Sequence, residues 1–141
     1  MSRTGSCVCG AVRFTITSPI IETGACHCGR CRKWTGGVYL SGAVPPDGIT
    51  LEGAKNLTTY SSSPWAERLF CKTCGGNLFY RVPAPGPMEG EMHVGLGTLD
   101  DANGIAFTGE LFIDLKPDAY SFAGDDRRQM SEAEVLAHFA E

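Results

Sequence analysis

Seven cysteines carry the strongest chemical signal in this sequence of 141 residues. They fall as Cys7-x-Cys9, Cys26-x-Cys28-x-x-Cys31 and Cys71-x-x-Cys74, so none stands alone. An odd number cannot close into disulfides without leaving a thiol over. Paired thiolates at these spacings suit a soft metal ion, and zinc is the usual one. The runs that hold iron–sulfur clusters are absent. A structural zinc takes four ligands, whereas a catalytic zinc keeps three protein ligands and an open position. With the clusters kept intact, one partition gives every site three or four ligands. Cys7, Cys9, Cys71 and Cys74 then close a structural site, and Cys26, Cys28 and Cys31 form an open one. The expectation is two zinc ions per chain.

The trio lies in Ala25-Cys26-His27-Cys28-Gly29-Arg30-Cys31-Arg32-Lys33. Its three sulfurs can face one ion if the chain turns at Gly29. Three thiolates and a divalent ion carry one net negative charge, which Arg30, Arg32 and Lys33 would offset. The same three cations are candidates for binding substrate carboxylates, arginine through its two-pronged fork. His27, between two ligands, could close the site as a fourth ligand, but neighbours in an extended segment point opposite ways, and ligation by 26, 27 and 28 together is strained. It reads instead as a neighbour that orients the ligands or relays a proton, or as a structural residue. His93 and His138 carry no such signal. An open position on three thiolates suits a sulfur donor, held as thiolate near neutral pH. That thiolate can add to a small carbonyl compound, or the metal can polarise the carbonyl instead. The residues do not choose between these.

Short strands must position these groups. Residues 10–18 alternate, with Val12, Phe14 and Ile16 on one face and Arg13, Thr15 and Thr17 on the other, which reads as a half-buried strand. Further strands are expected over 20–23, 38–41, 49–52, 57–60, 68–70, 77–82, 91–96 and 109–113. Turn signals separate them, among them Pro45-Pro46-Asp47-Gly48 and Asp101-Ala102-Asn103-Gly104. Many short strands predict an antiparallel, mainly β domain. One helix is expected near the end, where Ser131-x-x-Glu134 reads as a capping box ahead of Val135, Leu136 and Phe139.

Composition excludes several classes. The chain is 43% apolar and 20% charged, as in globular proteins and unlike disordered ones. Its net charge of −4 is not the basic footprint of a nucleic-acid binder. No apolar run approaches the roughly 18 residues of a membrane span. Met1-Ser2-Arg3-Thr4-Gly5 leads into cysteines and not into an apolar signal region, so a reducing, cytoplasmic setting is expected. The length fits a single domain over residues 1–141.

Three segments together resemble a known family: Gly5-Ser6-Cys7-Val8-Cys9-Gly10-Ala11-Val12-Arg13-Phe14, Cys26-His27-Cys28-Gly29-Arg30-Cys31-Arg32-Lys33 and Phe70-Cys71-Lys72-Thr73-Cys74-Gly75. Val94-Gly95-Leu96-Gly97-Thr98-Leu99-Asp100 and Lys116-Pro117-Asp118-Ala119-Tyr120 extend the likeness over most of the chain. The family is that of glutathione-dependent formaldehyde-activating enzymes, whose domain is shared with centromere protein V. The resemblance implies a β-tent fold of stacked antiparallel sheets. It implies a structural zinc on Cys7, Cys9, Cys71 and Cys74 and a catalytic zinc on Cys26, Cys28 and Cys31. The implied activity is that of a carbon–sulfur lyase, the reversible addition of glutathione to formaldehyde giving S-hydroxymethylglutathione. The alternative from another class is a non-catalytic, zinc-stabilised β-tent module that binds a protein partner.

Overall fold

A computed structural model describes residues 2–139, with the side chain of Phe139 outside the description. The described residues form eleven strands and two short helices. Strands β1 (Arg3–Ser6), β2 (Arg13–Ile16) and β5 (Ile49–Glu52) make a small antiparallel sheet in the order β1-β2-β5. The large sheet holds β3 (Glu22–Cys26), β4 (Tyr39–Val44), β6 (Leu57–Ser63), β7 (Ala66–Cys71), β8 (Asn77–Arg81), β9 (Met92–Gly95), β10 (Ala106–Leu111) and β11 (Arg128–Met130). Its order is β11-β10-β3-β4-β9-β8-β7-β6. No helix of the described residues is long and apolar enough to cross a membrane.

The core lies between the sheets, for the reason the alternation in β2 gives. Val12, Phe14 and Ile16 turn inward and are at most 2% exposed, against Leu69, Leu78, Phe79 and Val94 of the large sheet. Phe14 meets Phe79 edge-on at 5.1 Å between ring centres. Side chains of this kind each contribute roughly 1.5–3 kcal/mol on leaving water. Gly5 admits no side chain, since a Cβ there would lie 2.3 Å from the Phe14 ring and 2.4 Å from the Thr98 carbonyl oxygen.

The mainly β reading holds, and so does most of the antiparallel pairing. The exception is β10, which pairs parallel with both β3 and β11. Chain crossovers of this kind leave no mark on alternation, because a strand looks the same to either neighbour. Ile20–Thr23 was expected as a strand, whereas β3 runs Glu22–Cys26; the expected 109–113 is β10 at Ala106–Leu111. Arg3–Ser6 and Arg128–Met130 form strands with no apolar alternation of their own. The terminal helix, α2 (Glu132–Phe139), starts as expected. The Glu134 N–H donates to Ser131 Oγ at 3.2 Å, and the Ser131 N–H to Glu134 Oε1 at 3.0 Å. Val135 is buried and Leu136 is 60% exposed.

A second helix, α1 (Gly29–Thr35), follows Cys28, where the sequence alone points only to a turn at Gly29. Seven residues, mostly cationic or cysteine, show no helical apolar period. Its ends explain it instead. Cys28 is the N-cap, its sulfur accepting from the Cys31 N–H at 3.4 Å. Gly36 closes the other end at φ 77°, a left-handed conformation that glycine adopts without strain, and its N–H donates to the Arg32 carbonyl.

Candidate metal centres and their surroundings

The four-cysteine cluster joins the two sheets. Cys7 and Cys9 follow β1, Cys71 ends β7, and Cys74 lies in the turn before β8. All four sulfurs lie within 4.8 Å of one another. Cys7 and Cys9 are 3.7 Å apart at sulfur, and Cys9 and Cys71 3.8 Å. A tetrahedron with zinc–sulfur bonds of about 2.3 Å has edges of about 3.8 Å. The donor set therefore fits such an ion. Backbone N–H groups point at the sulfurs: Val12 at Cys7, Thr73 at Cys71 and Gly76 at Cys74, each at 3.4 Å. Such donors favour thiolate over thiol. Backbone N–H groups of Cys9 and Gly76 lower the pKa of Cys74 to about 6. Gly75, at φ 75°, makes the turn between Cys74 and β8.

The trio is built differently. Cys26 ends β3, Cys28 caps α1, and Cys31 comes one helical turn later on the same face. Their sulfurs also lie within 4.8 Å of one another. Cys31 is buried, and Cys26 and Cys28 are half-buried. The surroundings of Cys28 favour its thiolate form. Hydrogen bonds from the Cys26 and Cys31 thiols and from backbone N–H groups lower its pKa to about 2. Cys26 is pushed far up by the same sharing with Cys28 and Cys31, and by burial. The group thus holds one negative charge readily and resists a second, which is the electrostatic situation a divalent ion relieves.

The neighbours are not those the flanking sequence pointed to. Arg30, Arg32 and Lys33 lie on the exposed side of α1 and make no side-chain hydrogen bond or ion pair among the described residues. Arg32 and Lys33 fall in its last turn, where cations favour the helix C-terminus. His27 is not a fourth ligand, since no histidine nitrogen joins the trio's sulfurs. It turns inward, 1% exposed, and its Nε2 lies 2.7 Å from Glu110 Oε1. Glu110 Oε2 accepts from Arg127 Nε at 2.6 Å and from Gln129 Nε2 at 2.9 Å. The His27 N–H donates to the Leu111 carbonyl at 3.0 Å. β10 and β11 thereby clamp the residue between two of the trio's cysteines.

Sequence reading missed Arg68, Glu110, Arg127 and Gln129. Arg68 is 4% exposed and donates from Nη1 to Cys31 Sγ at 3.5 Å. Charged residues inside strands were the available signal, but their partners lie 37 and 83 positions away in sequence.

Glu110 should make stability depend on pH. Burial would raise its pKa, but hydrogen bonds from Arg127, Gln129 and His27 outweigh that and lower it from 4.5 to about 2. A folded pKa below the unfolded one gives stability that is present above about 4.5 and lost as pH falls towards 2. Glu110→Gln is expected to cost about 3 kcal/mol at pH 7. Urea unfolding of both proteins should show the gap closing below pH 4. A gap that stays constant to pH 2.5 would refute the assignment.

Fold and site together define a mainly β protein with two thiol clusters, each able to hold a metal ion. Residues 2–115 match the family described as glutathione-dependent formaldehyde-activating enzyme, and the chain belongs to that family. It is 29% identical over 119 residues to an uncharacterized lyase of Schizosaccharomyces pombe, covering 84% of each chain. It is 38% identical over 90 residues to a Halomonas elongata protein provisionally named a glutathione-dependent formaldehyde-activating enzyme, with 56% of this chain and 55% of that one covered. An Emericella nidulans protein of the same provisional name is 29% identical over 110 residues, with 73% and 56% covered. Apart from the yeast lyase, the chain thus spans little more than half the length of these relatives. A crystal structure of a Rhodobacter sphaeroides protein superposes with a TM-score of 0.57 at 24% identity, covering 74% of this chain and 99% of that one, and shares the fold.

Proposed function

We propose that the protein is a zinc-dependent carbon–sulfur lyase that forms and cleaves the adduct of a thiol, glutathione in the first instance, with formaldehyde. One observation carries the reading: three convergent sulfurs, one short of a tetrahedron, in a chain of this family. Cys26, Cys28 and Cys31 would hold the catalytic zinc, and Cys7, Cys9, Cys71 and Cys74 the structural one, two ions per single-domain chain. Zinc at the trio supplies a Lewis-acid position that keeps a thiol ionised near neutral pH. The chain's own residues do the rest. The cap at Cys28 and the turn to Cys31 fix two sulfurs, and the β3 pairing fixes the third. Arg30, Arg32 and Lys33, free on the outer side of α1, are the cations available to the two carboxylates of glutathione. In the forward direction the thiolate sulfur bonds to the carbonyl carbon, the C=O π bond opens, and the oxygen takes up a proton. The reverse cleaves that carbon–sulfur bond. A cytoplasmic setting fits reduced cysteines and glutathione supply.

The test is formaldehyde consumption with glutathione, followed against the spontaneous reaction. The expected result is a faster approach to the same equilibrium, abolished by a chelator and restored by zinc. With cobalt in the trio, glutathione should change the visible spectrum and S-methylglutathione should not. An unchanged spectrum at millimolar glutathione, with no rate enhancement, would favour the non-catalytic binding module.

A further inference from the structure

Arg68 presents a problem that its own surroundings do not solve. Its side chain is buried, yet no carboxylate of the described residues lies within ion-pair distance of it. The adjacent Glu67 is taken by Arg81 at 3.3 Å. The guanidinium lies 5.2 Å from the Trp34 ring centre and 5.2 Å from that of Tyr80. Tyr80 is its direct cross-strand partner on β8, and Trp34 comes from α1. Nε donates to Ser62 Oγ at 3.2 Å and Nη1 to Cys31 Sγ at 3.5 Å. Aromatic faces soften the loss of water, but a buried cation still needs an anion. The group in reach that can carry negative charge is the trio.

We propose that Arg68 is the counter-charge of the metal–thiolate centre and the residue that selects an anionic fourth ligand there. This rests on the reading of the trio as a metal site and deepens it. Three thiolates and a divalent ion leave one negative charge, which the guanidinium balances. A thiolate arriving as fourth ligand brings a second negative charge, which costs desolvation and repulsion from the first, and Arg68 offsets both. A neutral fourth ligand gains little from it. The preference for a thiolate thus comes from the protein as well as from the softness of the metal. Arg68 acts as a positioning residue, holding Cys31 by a charge-assisted hydrogen bond.

The experiment loads cobalt into wild-type protein, Arg68→Met and Arg68→Lys, and titrates each with mercaptoethanol as anionic probe and imidazole as neutral probe. The spectrum of the four-cysteine site reports folding. Arg68→Met should weaken cobalt at the trio about 10–100-fold while leaving the four-cysteine site loaded. The ratio of mercaptoethanol to imidazole affinity should fall about tenfold, and Arg68→Lys should restore most of it. Should Arg68→Met not fold, Arg68→Gln carries the same comparison. Equal weakening of both probes would make Arg68 a brace only and overturn the proposal, as would an unchanged ratio. Wild-type protein that loads only the four-cysteine site would overturn the metal reading of the trio, and this proposal with it.

Discussion

Cys74→Ala is expected to abolish folding and not merely to lose one ion. Cys9 and Cys71 meet across 62 positions of sequence, and their cluster ties the small sheet to the end of β7. A structural zinc supplies on the order of 10 kcal/mol or more, against a total stability of roughly 5–15 kcal/mol for a domain. Without the ion, Cys7 and Cys71 would remain as buried thiols, and the long loop would have to be closed by packing alone. Circular dichroism and metal content should fall together, in the variant and in wild-type protein stripped by a strong chelator. A Cys74→Ala protein with the wild-type melting temperature and both ions bound would sink the assignment.

Cys28→Ala is expected to separate chemistry from fold. Its sulfur caps α1, so removing it should cost about 1 kcal/mol and a few degrees of melting temperature. Adduct formation should fall on the order of 10³-fold, because a catalytic metal contributes several kcal/mol to the transition state. The same division should appear in wild-type protein under a mild chelator. Zinc at the trio, with one protein ligand fewer, should leave first while circular dichroism holds, and the second ion should leave with the structure. Loss of all zinc and all structure in a single step would contradict an open catalytic site.

Much of this architecture was legible in the sequence because the ligands are local. Cysteines two or three apart announce a shared ion, and the structure brings the two outer pairs together and the trio apart from them. Alternation located β2, since one face must be apolar over the core. It could not locate α1, whose helix depends on a sulfur cap and a left-handed glycine and not on an apolar stripe. The surroundings of the trio were legible least. Arg30, Arg32 and Lys33 stand beside the cysteines in sequence but on the outside of the helix in space. The charges that touch the site come from β7 and β10, because sheet pairing brings distant residues together. The parallel pairing of β10 with β3 puts the Glu110–Arg127 pair behind His27, and Arg127 and Gln129 lie beyond the stretch that matches the family.

Strand β7 also constrains how the gene can vary. Arg68 and Cys71 are three positions apart on one strand, so they point to opposite faces, one to each cluster. Substitutions between them keep that arrangement. A single-codon insertion or deletion does not, because it changes the parity of the spacing and carries either the cation into the apolar core or the thiol out of its cluster. Descendants of this sequence are therefore free to alter residues 69 and 70 within the limits of packing, whereas the spacing between Arg68 and Cys71 is held by parity and by the rise of about 3.3 Å per strand residue, which would carry one of the two away from its cluster.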